Sequence, residues 1–153
     1  MFSYIRLLLL STLLALGGCA VANKVVAPYT DLDIQVAKDL NPDISGRPSP
    51  AVIRIFELSG RSKFESSDFF QLYESPKANL GQELVAVQDV EVQPGQHLVH
   101  RMRLGTKTRF IGVVVAFRDI EKADWRLVIP ADPEDYDTLA LALDSLTIHK
   151  TKG

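Results

Sequence analysis

Apolar residues in this chain recur at every second position in short runs broken by turn residues, and that spacing fixes the class of fold. Thr30-Asp31-Leu32-Asp33-Ile34-Gln35-Val36-Ala37-Lys38 alternates polar with apolar, the pattern of a strand buried on one face. The alternation returns in Leu84 to Val92, with a bulge expected near Gln88, in His97 to Leu104 and in Thr138 to Lys150, and Trp125 to Ile129 reads as a further strand. Two runs differ: Ala51-Val52-Ile53-Arg54-Ile55-Phe56-Glu57-Leu58 and Phe110-Ile111-Gly112-Val113-Val114-Val115-Ala116-Phe117 are apolar almost throughout. Strands of that kind are buried on both faces, so these two belong at the centre of a sheet. Turn signals such as Pro94-Gly95 separate the runs. The expected fold is all-β: a two-sheet antiparallel β-sandwich of seven or eight short strands, forming one domain over 31–153.

Two stretches break the two-residue period. Between about 61 and 82 the spacing turns helical. Ser62 to Glu65 has capping-box spacing, Ser67-Asp68 offers a second start, and Pro76 ends the run. Phe64, Phe69, Phe70, Leu72 and Tyr73 give this insert an apolar face, best read as packing against a sheet. The other break is Asn41-Pro42-Asp43-Ile44-Ser45-Gly46-Arg47-Pro48-Ser49-Pro50, with three prolines and a glycine in ten residues. It is neither helix nor central strand. A stiff loop loses little conformational freedom on docking, which suits it to binding as well as to joining two strands.

The residues that chemistry requires are not arranged for it. His97 and His100 are three apart in a strand and point to opposite faces, and His149 has no carboxylate at ligand spacing. There is no G-x-S-x-G elbow, no P-loop and no dinucleotide fingerprint. The acidic stretch Asp132 to Asp137 lacks the alternating ligand order of a calcium loop and reads as solvated. Basic residues are scattered and the formal net charge is −2, which argues against nucleic acid. Trp125 reads as core, and Arg118 and Arg126 as ion-pair partners of Asp119, Glu121 and Asp124. Neither an enzymatic role nor a cofactor or metal is expected.

The N-terminus supplies an address. Arg6 precedes the apolar run Leu7 to Leu16, which is far shorter than the ~20 residues of a membrane-spanning helix. Leu16-Gly17-Gly18-Cys19 then resembles the lipobox of bacterial lipoproteins, and Cys19 is the only cysteine. That resemblance implies a leader at 1–18, lipidation of Cys19 and a tether over 19–30. Removing 18 of 153 residues leaves a mature chain of 135, with 16 basic against 19 acidic side chains. With its one thiol acylated, the domain must stand without a disulfide. By resemblance to lipoprotein sorting, Ala20 after the cysteine points to the outer membrane.

Several segments, in order, resemble one family. Asn41-Pro42-Asp43, Gly46 to Pro50, Val52 to Leu58, Asp68 to Tyr73, Pro94-Gly95, Gly112 to Asp119 and Trp125-Arg126 are similar to the outer-membrane lipoprotein of type VI secretion systems, the TssJ or SciN family. The resemblance implies a transthyretin-like sandwich with a small helical insert, lipid-anchored in the outer membrane and facing the periplasm. It implies binding to the periplasmic domain of TssM, within a complex that also contains TssL. The implied contact is the loop between the first two strands: Asn41, Pro42, Asp43, Ile44, Ser45, Gly46, Arg47, Pro48 and Ser49. Within it the side-chain chemistry makes Ile44 the expected apolar anchor and Arg47 the expected bidentate donor. The alternative expectation is a periplasm-facing binding module for a small hydrophobic or glycan ligand, with its pocket under the Phe64-to-Tyr73 insert.

Overall fold

The computed structural model describes residues 26–152; the leader and Cys19 lie outside the described residues. Eight strands form two four-stranded sheets. The strands are β1 (Thr30–Val36), β2 (Ala51–Leu58), β3 (Leu84–Val92), β4 (His97–Met102), β5 (Phe110–Val115), β6 (Arg126–Pro130), β7 (Asp137–Leu143) and β8 (Ile148–Lys150). Sheet I has the order β4-β1-β7-β8 and sheet II the order β3-β2-β5-β6. All neighbours are antiparallel except β1 and β7, which run parallel in register from Thr30↔Asp137 to Val36↔Leu143.

The sheets face each other across one core. Leu32 and Ile34 of β1, Leu139, Leu141 and Leu143 of β7, and Met102 of β4 meet Ile53 and Ile55 of β2 and Ile111, Val113 and Val115 of β5. Asp31 and Asp33, at the alternate positions of β1, pair instead with Arg101 and His97 of β4 on the open face of sheet I. Sheet II is covered on its second face too. Phe56, Leu58 and Val114 form a separate apolar cluster with Phe64, Leu72 and Leu80, all fully buried. The two faces explain why β2 and β5 are the continuous apolar runs of the sequence.

The second layer comprises α1 (Ser62–Ser66), α2 (Phe69–Glu74), α3 (Pro76–Leu80) and a 3-10 turn at Gly81–Glu83. Helices this short are unstable alone, and the sheet supplies their missing partners. Arg126 donates through Nη1 to the carbonyls of Phe64 (3.0 Å) and Ser67 (2.8 Å), and Arg54 donates to the carbonyl of Tyr73 while its Nε and Nη2 grip Asp89. Both guanidiniums therefore sit on C-terminal carbonyls, where charge and hydrogen-bond geometry agree. Phe64 lies so close over β5 that an ideal Cβ at Gly112 would stand 2.7 Å from its ring.

Local details differ from the sequence reading. The capping box forms at Asp68 and Gln71, with both reciprocal bonds made. At the first helix Ser62 is already inside the helix, Arg61 holds the cap position without a side-chain bond, and Glu83 accepts the Lys63 N–H instead. Pro76 ends α2 by opening α3, a position where its missing N–H costs nothing. The register irregularity of β3 falls at Val85, opposite the Glu57–Leu58 step, and not near Gln88. Phe70 is 59% exposed. Arg118 and Arg126 make no ion pair with the 119–124 connection: Arg126 serves the helices, and Lys122 takes Asp119 at 2.8 Å.

The topology sorts the connections to two ends. At one end Tyr29 precedes β1 beside Asp137, its ring under the Arg101 guanidinium (3.8 Å) and edge-on to Tyr136, whose hydroxyl donates to the Val26 carbonyl. The β4–β5 loop is fastened at that end by buried Glu57, which accepts from Gly105 N–H and the Thr108 hydroxyl, each at 2.8 Å. At the other end, about 20 Å along the seven residues of β1, lie the β1–β2, β3–β4, β5–β6 and β7–β8 connections.

Candidate functional site

The β1–β2 loop, residues 37–50, is built around Asn41. This side chain is only 3% exposed. Its Nδ2 donates to the Pro50 carbonyl (2.7 Å) and its Oδ1 accepts the Arg118 N–H (2.8 Å). Its own N–H donates to the Ser145 carbonyl (2.7 Å), and its carbonyl accepts the Ser49 hydroxyl (2.6 Å). One residue thus ties both arms of the loop to the β5–β6 and β7–β8 connections. Its backbone has φ +49°, in the left-handed region that asparagine tolerates better than most residues.

Beyond Asn41 the chain closes into a five-residue turn. Asp43 N–H donates to the Arg47 carbonyl (2.9 Å) and Gly46 N–H to the Asp43 carbonyl (2.8 Å), with Gly46 at φ +76°. That is the three-residue loop ending in a left-handed glycine. The Asp43 carboxylate fills the turn, accepting from Ser45 N–H (2.8 Å), Arg47 N–H (3.0 Å) and Arg47 Nε (2.9 Å). The Arg47 N–H, aided by the Ser45 N–H, the Arg47 guanidinium and the nearby charge of Arg118, holds this carboxyl below its ordinary range despite an opposing cost of desolvation. At the apex of the closed turn Ile44 stands fully exposed, at 107% of its reference area.

The nine loop residues therefore divide into frame and tip. Asn41 is buried, and Pro42, Asp43 and Ser49 are half-buried with their polar groups engaged inside the loop; Ile44, Ser45, Gly46, Arg47 and Pro48 are exposed. Arg47 has its Nε committed to Asp43 and presents the rest of its guanidinium to solvent. Beside the tip runs an open groove of about 680 Å³, lined by Pro42, Asp43, Ile44, Arg118, Asp119, Lys122 and Leu146. Arg118, Lys122 and Leu146 come from other connections, and no local pattern in the sequence links them to the loop.

Elsewhere the polar side chains have structural partners. His97 meets Asp33 at 2.6 Å, His100 meets Gln88 at 3.2 Å, and His149 lies 3.5 Å from Asp144. Among the described residues no three His, Cys, Asp or Glu side chains are grouped to hold a metal. The space beneath the helical insert, where a small-ligand pocket was the alternative, is filled by Phe64, Leu72 and Leu80. Trp125 is half-buried between both apolar clusters, edge-on to Phe69 at 5.4 Å. No helix among the described residues is long and apolar enough to cross a membrane.

Comparison with known proteins agrees with this architecture. Residues 28–146 match the family described as "Type VI secretion lipoprotein, VasD, EvfM, TssJ, VC_A0113". Among solved structures, the type VI secretion lipoprotein TssJ1 from Pseudomonas aeruginosa is similar at 27% identity and a TM-score of 0.78, over 82% of this chain and 96% of that one. A chain in the structure described as the TssM C-terminal domain (869-1107) from EAEC is similar at 26% identity and a TM-score of 0.70, over 82% and 98%. Serratia marcescens Lip, a membrane-bound component of the type VI secretion system, shares the fold at 21% identity and a TM-score of 0.76, over 84% and 99%. No curated protein matches the sequence. The family match spans the sandwich from the residues before β1 to the turn before β8, and the chain belongs to the type VI secretion lipoproteins.

Proposed function

We propose that this protein is the outer-membrane end of a type VI secretion membrane complex, anchored by lipid on Cys19 and holding the periplasmic domain of TssM through its β1–β2 loop. TssL completes that complex on this reading. The role is attachment, with no catalytic step. The observation that carries it is the closed Asp43–Arg47 turn, which presents Ile44 at the end of the sandwich opposite the tether. An apolar side chain held fully in water by its own loop's hydrogen bonds gains by docking, and the stiff turn loses little freedom when it docks.

The similar chain in the TssM structure from EAEC gives further support. Nearly all of it, 98%, corresponds to 82% of this one, so it is far shorter than the segment 869-1107 and is of the size of a lipoprotein subunit. Anchoring follows from chain arithmetic: each buried CH₂ contributes about 0.8 kcal/mol, and more than one acyl chain is needed for stable attachment. A lipoprotein cysteine carries three. β1 runs from the clamped tether at Tyr29 to the loop, so the lipid and the partner pull on opposite ends of one central strand.

The test separates anchor from contact. Cys19→Ala is expected to bind the TssM periplasmic domain as tightly as the native chain while losing secretion in cells. Undiminished secretion by this variant would remove the anchoring role.

A further inference from the structure

Among the described residues the groove beside Ile44 holds one cation without an ion-pair partner of its own, although its charge reaches the Asp43 carboxylate and helps to lower that group's pKa. Its two carboxylates are engaged, Asp43 with Arg47 at 2.9 Å and Asp119 with Lys122 at 2.8 Å. Arg118 is exposed and makes no ion pair among the described residues. Its position is nonetheless fixed: its backbone N–H bonds Asn41 and its Nε donates to the Ser49 hydroxyl at 2.9 Å. Nε faces inward, which leaves the two terminal nitrogens for a ligand. The apolar part of the groove is Pro42, Ile44 and Leu146.

A guanidinium held by its inner edge, beside the apolar surface of Pro42, Ile44 and Leu146, matches a definite chemistry. We propose that the contact with the partner extends from the β1–β2 loop onto the β5–β6 connection, and that the groove receives a segment of the partner protein bearing an apolar side chain next to a carboxylate. The apolar side chain packs against Ile44 and Leu146, and the carboxylate sits on Arg118. This inference rests on the reading of the loop as the partner contact and adds a second, charged anchor to it. Asn41 makes the two anchors one rigid unit, because it bonds both the loop and the Arg118 backbone. Lys122, already paired, contributes little.

The experiment measures the affinity of the full chain in detergent for the TssM periplasmic domain at low and high salt, with thermal melts as fold controls. Arg118→Gln keeps the backbone bond to Asn41 and is expected to weaken binding at least tenfold and to flatten its salt dependence. Lys107→Gln removes an exposed cation from the β4–β5 loop at the opposite end of the sandwich and is expected to change binding less than threefold. Loss in Lys107→Gln equal to that in Arg118→Gln would mean that Arg118 acts only through the overall charge of the domain, and would overturn the proposal. Unchanged binding by Arg118→Gln, with Ile44→Asp abolishing it, would also overturn the proposal while leaving the loop contact standing. Unchanged binding by Ile44→Asp and by replacement of the whole loop would instead remove the loop contact itself.

Discussion

Replacing Asn41 tests how the loop is held, because the residue is buried within the loop's own hydrogen-bonded frame. Asn41→Ala removes the bonds from Nδ2 to Pro50 and from Arg118 to Oδ1, stranding one carbonyl and one N–H that are partly shielded from water. Each stranded group costs about 1 kcal/mol, at the low end for buried polar groups because water reaches this loop. Alanine at φ +49° adds about 1 kcal/mol of backbone strain. The expected loss is about 3 kcal/mol, a large share of the 5–15 kcal/mol typical of a domain. For a domain of this size that lowers the melting temperature by about 10 °C. Asn41→Gly makes the same two losses without the strain, so it should melt about 3 °C above Asn41→Ala. Calorimetry on both variants, with hydrogen exchange at Arg118, reads the two contributions apart. A melting point for Asn41→Ala within 3 °C of the native chain would refute the account, as would identical melting of the two variants.

Three further outcomes follow from the same geometry. Gly112→Ala forces a methyl to 2.7 Å from the Phe64 ring and should destabilise the domain by about 1–3 kcal/mol in denaturant melts, with Phe64→Leu in the same chain recovering part of the loss. Glu57→Ala leaves the Gly105 N–H and the Thr108 hydroxyl without their acceptor, a loss of about 1–3 kcal/mol, whereas Glu57→Gln keeps an acceptor and should cost about half as much. The lowered folded-state pKa of Asp43 means that its stabilisation of the turn is fully present above the ordinary carboxylate pKa and is lost as pH falls through the folded value. Amide exchange at Ser45 and Arg47 should therefore accelerate below about pH 4 in the native chain and be fast at neutral pH in Asp43→Asn; equal protection of those amides in both chains would contradict the assignment.

The sandwich was legible because its signals are local. Alternation marks the half-buried strands, and the nearly unbroken apolar runs at Ala51–Leu58 and Phe110–Val115 mark the two strands that are covered on both faces. The parallel pairing of β1 with β7 was not legible, since neither strand carries any mark of its neighbour's direction. Nor were the roles of Arg54, Arg126 and Glu83, which cap helices from distant positions. At the candidate site, proline content identified the stiff loop, and Ile44, expected to be its apolar anchor, stands fully exposed. The division of that loop into frame and tip depends on Asn41 reaching Arg118, 77 residues away, and no spacing rule reports such a bond.

The central claim is that the β1–β2 loop holds TssM. Its most direct measurement is the affinity of the full chain for the TssM periplasmic domain before and after Pro42 to Pro48 are replaced by glycine and serine, with the fold of each chain checked by its near-ultraviolet circular dichroism. The account predicts a folded sandwich whose affinity falls by at least a hundredfold. A folded chain that binds TssM undiminished would contradict it.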